Sequence, residues 1–397
     1  MTGLARCVGD AARFLGRHWS WSPFYLPQAD GEAFSDLFSL DEVDRAVSTS
    51  FLRLPTFRMV RDGKPLDRSR YTKSSRLGGT TVSGVGNPGA IYREFAAGAT
   101  IVFQGLHRSW EPLTRFCRQL ELELTHPVQA NAYITPPVSR GLGVHYDTHD
   151  VFVLQLAGHK EWLVYDPVVE DPLPSQPWSS GMAAPEEPCL EADLGPGDCL
   201  YVPRGFLHSA RAREGVSAHL TIGVLTSTWH DAMGQVVAAL ADEVEFRRSL
   251  APGFAYDEER LASDLAERVT MFRDWLEKAD LKAVAAKLAR RFWSNRPPVL
   301  TGQLQQVLAL DRIGDATTVR RREGAVCRLR TSERSLSVLL GDRELVMPAP
   351  LEPAMARVTT GEPLAVGELG DLLDQSSRLV LVRRLVREGL LEVVALG

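Results

Sequence analysis

The sequence predicts an α+β chain, with an all-β barrel or sandwich in its middle, helices after it and a mixed strand-helix segment at the end. Three observations carry this. Between Val128 and Val224 the runs VQANAYIT, DVFVLQLAG, EWLVYDP, DCLYVP and SAHLTIGVL are separated by Gly, Pro and Asp turns, the spacing of short antiparallel strands. From Asp231 to Trp293 the period becomes helical, with stripes through Met233 and Leu240, Leu261 and Leu276, and Leu281 and Phe292. After Leu300, strand candidates at Ala325 to Arg330, Ser335 to Leu340 and Glu344 to Met347 precede a terminal helix, Ser376 to Glu388, that stops at Gly389.

Each element has a local cause. Ser39 caps a helix start in SLDEVDRAV, with acidic residues in the first turn and Leu40, Val43 and Val47 on one face. Leu54 to Pro65 is a strand candidate closing on the Asp62-Gly63 turn signal. Trp110, Leu113, Phe116, Cys117, Leu120 and Leu124 recur at helical spacing, one buried stripe of a scaffold helix. Pro172 to Pro188 holds five prolines and reads as a surface loop inserted between strands. Helix breaks fall at Ala251-Pro252-Gly253 and before Arg296-Pro297-Pro298. Three segments follow: 1–230 around the strands, 231–299 as three helices, and 300–397.

Composition narrows the function class. The chain has 397 residues, 44% hydrophobic and 24% charged, proportions that leave little room for a disordered or collagen-like protein. Its 45 Lys plus Arg against 50 Asp plus Glu give a net charge of -5, with no global attraction to nucleic acid or an anionic membrane. Residues 301–397 carry 13 Arg, no Lys and 13 acidic residues, so no basic face for nucleic acid is expected there. Cys7, Cys117, Cys189, Cys199 and Cys327 are scattered and form no C-x-x-C pair, which fits neither a disulfide framework nor a cysteine zinc site and points to a reducing cytoplasm. No secretion signal is read in residues 1–23, which carry Arg6, Asp10, Arg13 and Arg17. Nor is there an apolar stretch of about 18 residues, so no membrane crossing is expected.

The chemistry lies in Gly143-Val144-His145-Tyr146-Asp147 and, 61 residues after Asp147, in His208 of GDCLYVPRGFLHSA. On a strand, alternate side chains share a face, so His145 and Asp147 point together and can share a metal. A third ligand, His208, completes a two-histidine, one-carboxylate face with open positions, the arrangement of non-haem Fe(II) oxygenases. Open positions let a bidentate 2-oxo acid and O2 bind side by side. An H-x-D triplet alone arises by chance; the barrel pattern, the histidine after the Gly-Pro-Gly-Asp turn, and Lys160 across the Ala157-Gly158 turn give it weight. Lys160 shares a strand face with Trp162 and Val164. An ammonium pointing into a barrel needs an anion, and the distal carboxylate of 2-oxoglutarate supplies one. Asn131 could add an amide donor, and a strand-end turn role suits it equally. His149 and His159 fall out of phase or at a turn. Ser217, His219 and Thr221 alternate and could face the cavity, though core or hydrogen-bonding roles suit them as well. No phosphate loop, nucleophile elbow or catalytic triad is present.

These residues resemble a JmjC-type cupin 2-oxoglutarate oxygenase of the ribosomal oxygenase family, most specifically in NAYITPPVSRGLGVHYDTHDVFVLQLAGHKEWLVYDP (131–167) and GDCLYVPRGFLHSA (197–210), with FLGRHWSWSPFYL near the N-terminus also similar. The resemblance implies that His145, Asp147 and His208 bind Fe(II) and are catalytic, that Lys160 grips 2-oxoglutarate, and that Asn131 belongs to the cosubstrate pocket. It implies a double-stranded β-helix (JmjC/cupin jelly roll) at 1–230, a helical dimerisation region at 231–299 and a winged-helix domain at 300–397. One departure stands out: some members carry a serine near the position of Gly223.

The expected activity is Fe(II)- and 2-oxoglutarate-dependent hydroxylation, with O2, of a side-chain carbon. By resemblance the target is the β-carbon of Arg or His in a ribosomal protein, and the chain is a cytoplasmic homodimer without direct nucleic-acid or membrane contact. Two other readings are open at this stage. The same chemistry could tailor a peptide natural product, with the 172–188 insertion reshaping the pocket mouth, or the chain could be a non-catalytic cupin and winged-helix binding protein. Histone demethylation shares the barrel but finds no chromatin-reading module here.

Overall fold

All five runs between Val128 and Val224 form strands. The computed structural model describes residues 2–28, 31–49, 52–137, 139, 143–179, 182 and 185–397. Two units emerge, Met1–Thr226 and Ser227–Gly397.

The first unit contains, in chain order, strands β1 (Phe24–Leu26), β2 (Phe57–Arg61), β3 (Lys64–Pro65), β4 (Thr72–Leu77), β5 (Thr80–Gly86), β6 (Thr100–Phe103), β7 (Val128–Thr135), β8 (Asp150–Ala157), β9 (Lys160–Tyr165), β10 (Leu190–Leu194), β11 (Cys199–Val202), β12 (Leu207–Ala212) and β13 (Ser217–Val224). Its helices are α1 (Gly3–Val8), α2 (Ala11–Arg17), α3 (Leu40–Thr49), α4 (Pro88–Ala96) and α5 (Glu111–Leu124). An eight-stranded sheet, β1-β11-β8-β13-β7-β6-β2-β3, faces a three-stranded sheet, β10-β9-β12, while β4 and β5 pair on their own. The β2-β3 hairpin turns through Asp62 and Gly63, both at positive φ, the two-residue geometry that suits strand twist.

Alternation decides which side chain goes where. Phe152 and Leu154 of β8, with Ala130, Ala132 and Ile134 of β7 and Leu220 and Ile222 of β13, face a helical layer that includes Leu113, Phe116 and Leu120 of α5. The stripe read around Trp110 is therefore scaffold, as expected. Val151 and Val153 point the other way and meet Trp162, Val164 and Leu194 of the small sheet. The N-terminal segment closes the outer side: Glu123 of α5 accepts from Gly3 and Leu4 N–H at 2.9 and 3.2 Å, and Phe14 stacks edge-on to Tyr201 at 4.9 Å. The outcome is a jelly roll whose interior lies between two sheets.

Between Val128 and Val224, two strands are missing from the five apolar or alternating runs. β12, which carries His208, is LHSARA, and β10 is LEADL; both are too polar to show apolar alternation, and pairing with β9 makes them strands.

The second unit holds α6 (Trp229–Ala239), α7 (Val244–Arg247), α8 (Glu258–Leu276), α9 (Leu281–Trp293), α10 (Gln303–Leu308), β14 (Thr318–Arg321), β15 (Arg328–Thr331), β16 (Ser335–Leu339), β17 (Glu344–Pro348), α11 (Glu352–Val358), β18 (Leu364–Ala365), α12 (Gln375–Arg387) and β19 (Leu391–Ala395). The three helical stripes are α6, α8 and α9, with α7 in addition. No residue of α8 is fully buried, and Leu265 and Val269 of its apolar stripe are exposed. Segments 231–299 and 300–397 lie in this one unit: Arg296 N–H donates to Gly341 O at 2.6 Å, and Arg328 sits 4.6 Å over the Trp293 ring. Val382, Leu385 and Val386 of α12 anchor the terminal core. Among the described residues no helix is long and apolar enough to cross a membrane.

Candidate metal centre

His145 and His208 sit on segments that the chain brings together from 63 positions apart. His208 lies on β12. His145 belongs to no regular strand, contrary to the expectation of an alternating one: it makes a single antiparallel bridge with His208. The bridge has two hydrogen bonds, His145 N–H to His208 O at 3.2 Å and His208 N–H to His145 O at 2.8 Å. Alternation still holds locally. Tyr146 turns away and is buried, while His145 and Asp147 both line the cavity. Gly205 fixes the loop by donating its N–H to Asp147 O at 3.0 Å. It must be glycine, with φ at +85° and a Cβ that would lie 2.5 Å from Val169 O.

One ligand atom from each of His145, Asp147 and His208 falls within 4.8 Å of the others. Both histidines have Nδ1 on a backbone carbonyl, Gly143 O at 2.8 Å and Phe206 O at 3.1 Å. An N–H on Nδ1 donating to a carbonyl fixes the tautomer and frees Nε2 as a ligand. His208 Nε2 lies 3.8 Å from Asp147 Oδ2. Burial, reinforced by His145 and opposed by Asp147, pushes His208 down to about 4, so at neutral pH this contact is a neutral imidazole beside a carboxylate rather than an ion pair. Two imidazoles and one carboxylate within reach of a common point suit a divalent transition metal with open positions.

The metal face opens on a cavity lined also by Thr135, Lys160, Trp162, His219 and Thr221. Lys160, Trp162 and Val164 share the inner face of β9, as expected, and Lys160 is 3% exposed. Its Nζ meets Thr135 Oγ1 at 3.4 Å and His219 Nδ1 at 3.5 Å, with no carboxylate between them. Burial alone brings this amine down to about 7. A buried cation without an anion is an invitation to an anionic ligand.

Asn131 departs from expectation. It lies on the same face of β7 as Tyr133 and Thr135, yet its Oδ1 accepts from Gly105 N–H at 2.9 Å and it is not among the residues lining the cavity. Tyr133 and Thr135, two and four positions on, line it instead, as do His219 and Thr221. The alternation of SAHLTIG held the signal for His219 and Thr221; Ser217, on the same strand, bonds Gln155 Nε2 at 2.9 Å. His159 is exposed at a turn. His149 explains the glycine at 223: a Cβ there would lie 2.7 Å from the His149 ring. The insertion packs onto the metal loop, with Tyr146 Oη donating to Gln176 O at 2.9 Å and Trp178 edge-on to Tyr146 at 5.6 Å. Residues 180–181 and 183–184 of the insertion, and 138 and 140–142 of the similar segment, lie outside the described residues.

Residues 106–232 match the JmjC domain family. The barrel is a JmjC domain. Over 310 residues the chain is 32% identical to ribosomal oxygenase 1 of Rattus norvegicus, covering 72% of this chain and 50% of that protein. It is 30% identical over 214 residues to the bifunctional lysine-specific demethylase and histidyl-hydroxylase NO66 of Drosophila persimilis, covering 53% of this chain and 29% of that protein. The chain thus spans about half or less of the length of these curated relatives. The fold of Escherichia coli YcfD, a ribosomal oxygenase solved with cobalt and 2-oxoglutarate, superposes with a TM-score of 0.53 over 97% of this chain and 98% of that one, at 18% identity. This JmjC chain is a relative of the ribosomal oxygenases.

Proposed function

We propose that the JmjC barrel is an Fe(II)- and 2-oxoglutarate-dependent oxygenase that hydroxylates a side-chain carbon of a ribosomal protein, the β-carbon of Arg or His by family resemblance. The observation that carries this is that His145, Asp147 and His208 converge on one cavity whose lining also holds the buried Lys160, which has no acidic partner among the described residues. A metal face and a buried amine on one cavity suit a dicarboxylic 2-oxo acid. Relatives named as ribosomal oxygenases and as a histidyl-hydroxylase add weight.

In this role His145 and His208 present Nε2 to the iron, held by their Nδ1 bonds, and Asp147 adds a carboxylate oxygen. Held by these three side chains, Fe(II) would supply the O2 chemistry by which 2-oxoglutarate, O2 and a substrate C–H give succinate, CO2 and C–OH. Lys160 binds the distal carboxylate and orients the cosubstrate. The apolar walls, Val151, Val153 and Trp162, exclude water from the reacting face. Asn131, its Oδ1 committed to Gly105 and its side chain outside the cavity lining, is given no contact with the cosubstrate.

For the remainder, residues 231–299 would form the dimer contact, supported by the exposed apolar side chains Met233 and Val237 of α6 and Leu265 and Val269 of α8. Residues 300–397 would form a winged-helix domain, supported by the run α11, β18, α12, β19 with β14 between β18 and β19 in the sheet. The equal charge count there suits a protein-handling role in the cytoplasm rather than nucleic-acid binding. The packing of the insertion on Tyr146 favours the natural-product tailoring reading enough to keep peptides in the test. Incubating Fe(II)-loaded protein with 2-oxoglutarate and ribosomal proteins or short peptides, then reading succinate and the addition of one oxygen by mass spectrometry, decides between them. No succinate above background with any pool, and none lost in His145→Ala, would favour a binding protein.

A further inference from the structure

His219 is buried on β13 and lines the cavity, held on two sides. It stacks flat on Tyr133, centroids 5.1 Å apart and planes 3° from parallel, and meets Trp162 edge-on at 5.6 Å. Its Nδ1 lies 3.5 Å from Lys160 Nζ. When Lys160 is charged its ammonium only donates, so Nδ1 accepts and the ring proton sits on Nε2. Burial and Lys160 both hold His219 well below its ordinary value, which keeps it neutral. The Nε2–H is then a fixed donor with no hydrogen-bond partner among the described residues. On a ring that lines the cavity, this N–H is available to a ligand oxygen.

We propose that His219 is a specificity-determining residue for the cosubstrate: it holds the Lys160 ammonium through Nδ1 and offers Nε2–H to the distal carboxylate, so that the cavity selects a dicarboxylic over a monocarboxylic 2-oxo acid. This rests on the oxygenase reading above and adds a second donor to Lys160. The ring's stacking on Tyr133 makes the donor rigid, which lowers the entropy lost on binding.

The test is calorimetric binding of 2-oxoglutarate and of 2-oxobutanoate, which lacks the distal carboxylate, to Co(II)-loaded protein without O2. His219→Leu is expected to weaken 2-oxoglutarate by roughly 10- to 100-fold, the worth of a hydrogen bond to a charged group, and to leave 2-oxobutanoate within a few-fold. His219→Asn, which keeps an acceptor and a donor, is expected to recover part of the loss, and it replaces the leucine variant if that one does not fold, as judged by its Co(II) absorption. Leucine and wild-type proteins that bind 2-oxoglutarate alike, or a variant that loses both acids equally, would overturn the proposal alone. Wild-type protein that binds neither acid would overturn the oxygenase reading as well.

Discussion

His145 and His208 exchange both of their backbone hydrogen bonds, at 3.2 and 2.8 Å, and so form a one-pair antiparallel bridge. Each imidazole is pinned by its Nδ1 to the carbonyl two residues before it. Backbone pairing sets the separation of the two ligands and side-chain pairing sets their aim. The site is therefore built before any metal arrives.

Replacing His208 with Ala is expected to weaken Co(II) binding by more than the roughly 10- to 100-fold that losing an outer hydrogen bond costs. Titration followed by visible absorption measures this. His159→Ala, on an exposed turn, should leave the binding curve unchanged.

The affinity for 2-oxoglutarate is expected to fall as pH rises. Lys160 is near 7 in the free protein, and a bound carboxylate favours the ammonium, which raises that value. Between the free and the bound values, binding takes up a proton, and Kd rises by up to about tenfold per pH unit. Below about 7 the amine is already charged and Kd levels off. Calorimetry from pH 6.5 to 8.5 on Co(II)-loaded protein reads this slope, and a flat Kd would contradict it.

The same amine predicts a stability effect of known sign. Its folded value lies below its unfolded value of 10.5, so the unfolded chain binds more protons between about 7 and 10.5. Stability rises with pH across that window and carries the whole burial cost below it. Lys160→Met, similar in length and uncharged, is expected to stabilise the ligand-free protein by roughly 1–3 kcal/mol near pH 7 and to flatten the slope, measured by urea unfolding at several pH values.

Much of this was legible beforehand. The apolar or alternating runs VQANAYIT, DVFVLQLAG and EWLVYDP marked β7, β8 and β9, and the alternation through Lys160, Trp162 and Val164 put Lys160 on the buried face of β9, whereas β8 is buried on both faces and shows no alternation. Other parts follow from pairing rather than pattern. LHSARA is a strand through β9, and His145 aligns with Asp147 through one bridge and the Gly205 bond. Asn131 shows the limit of alternation: the face was right, but Gly105, distant in sequence, engages its carboxamide.

Gly205→Ala is expected to destabilise the protein by at least about 1–3 kcal/mol, the range for overpacking or a strained non-glycine backbone. Its Cβ would meet Val169 O at 2.5 Å and Pro172 Cδ at 2.8 Å. Because Gly205 also ties down Asp147, metal affinity should fall with it, which chemical unfolding and Co(II) titration on one preparation would read together.

Tyr146→Phe removes the bond to Gln176 O, worth about 0.5–1.5 kcal/mol. Faster protease cleavage within 172–188, with unchanged global unfolding, is the expected result.

The most direct test is anomalous diffraction from crystals soaked without O2 in Fe(II) and 2-oxoglutarate. The account predicts one iron peak about 2.0–2.2 Å, a usual range for such ligands, from His145 Nε2, His208 Nε2 and an Asp147 carboxylate oxygen, with the cosubstrate reaching Lys160. Iron bound elsewhere, or held by fewer than these three side chains, would contradict it.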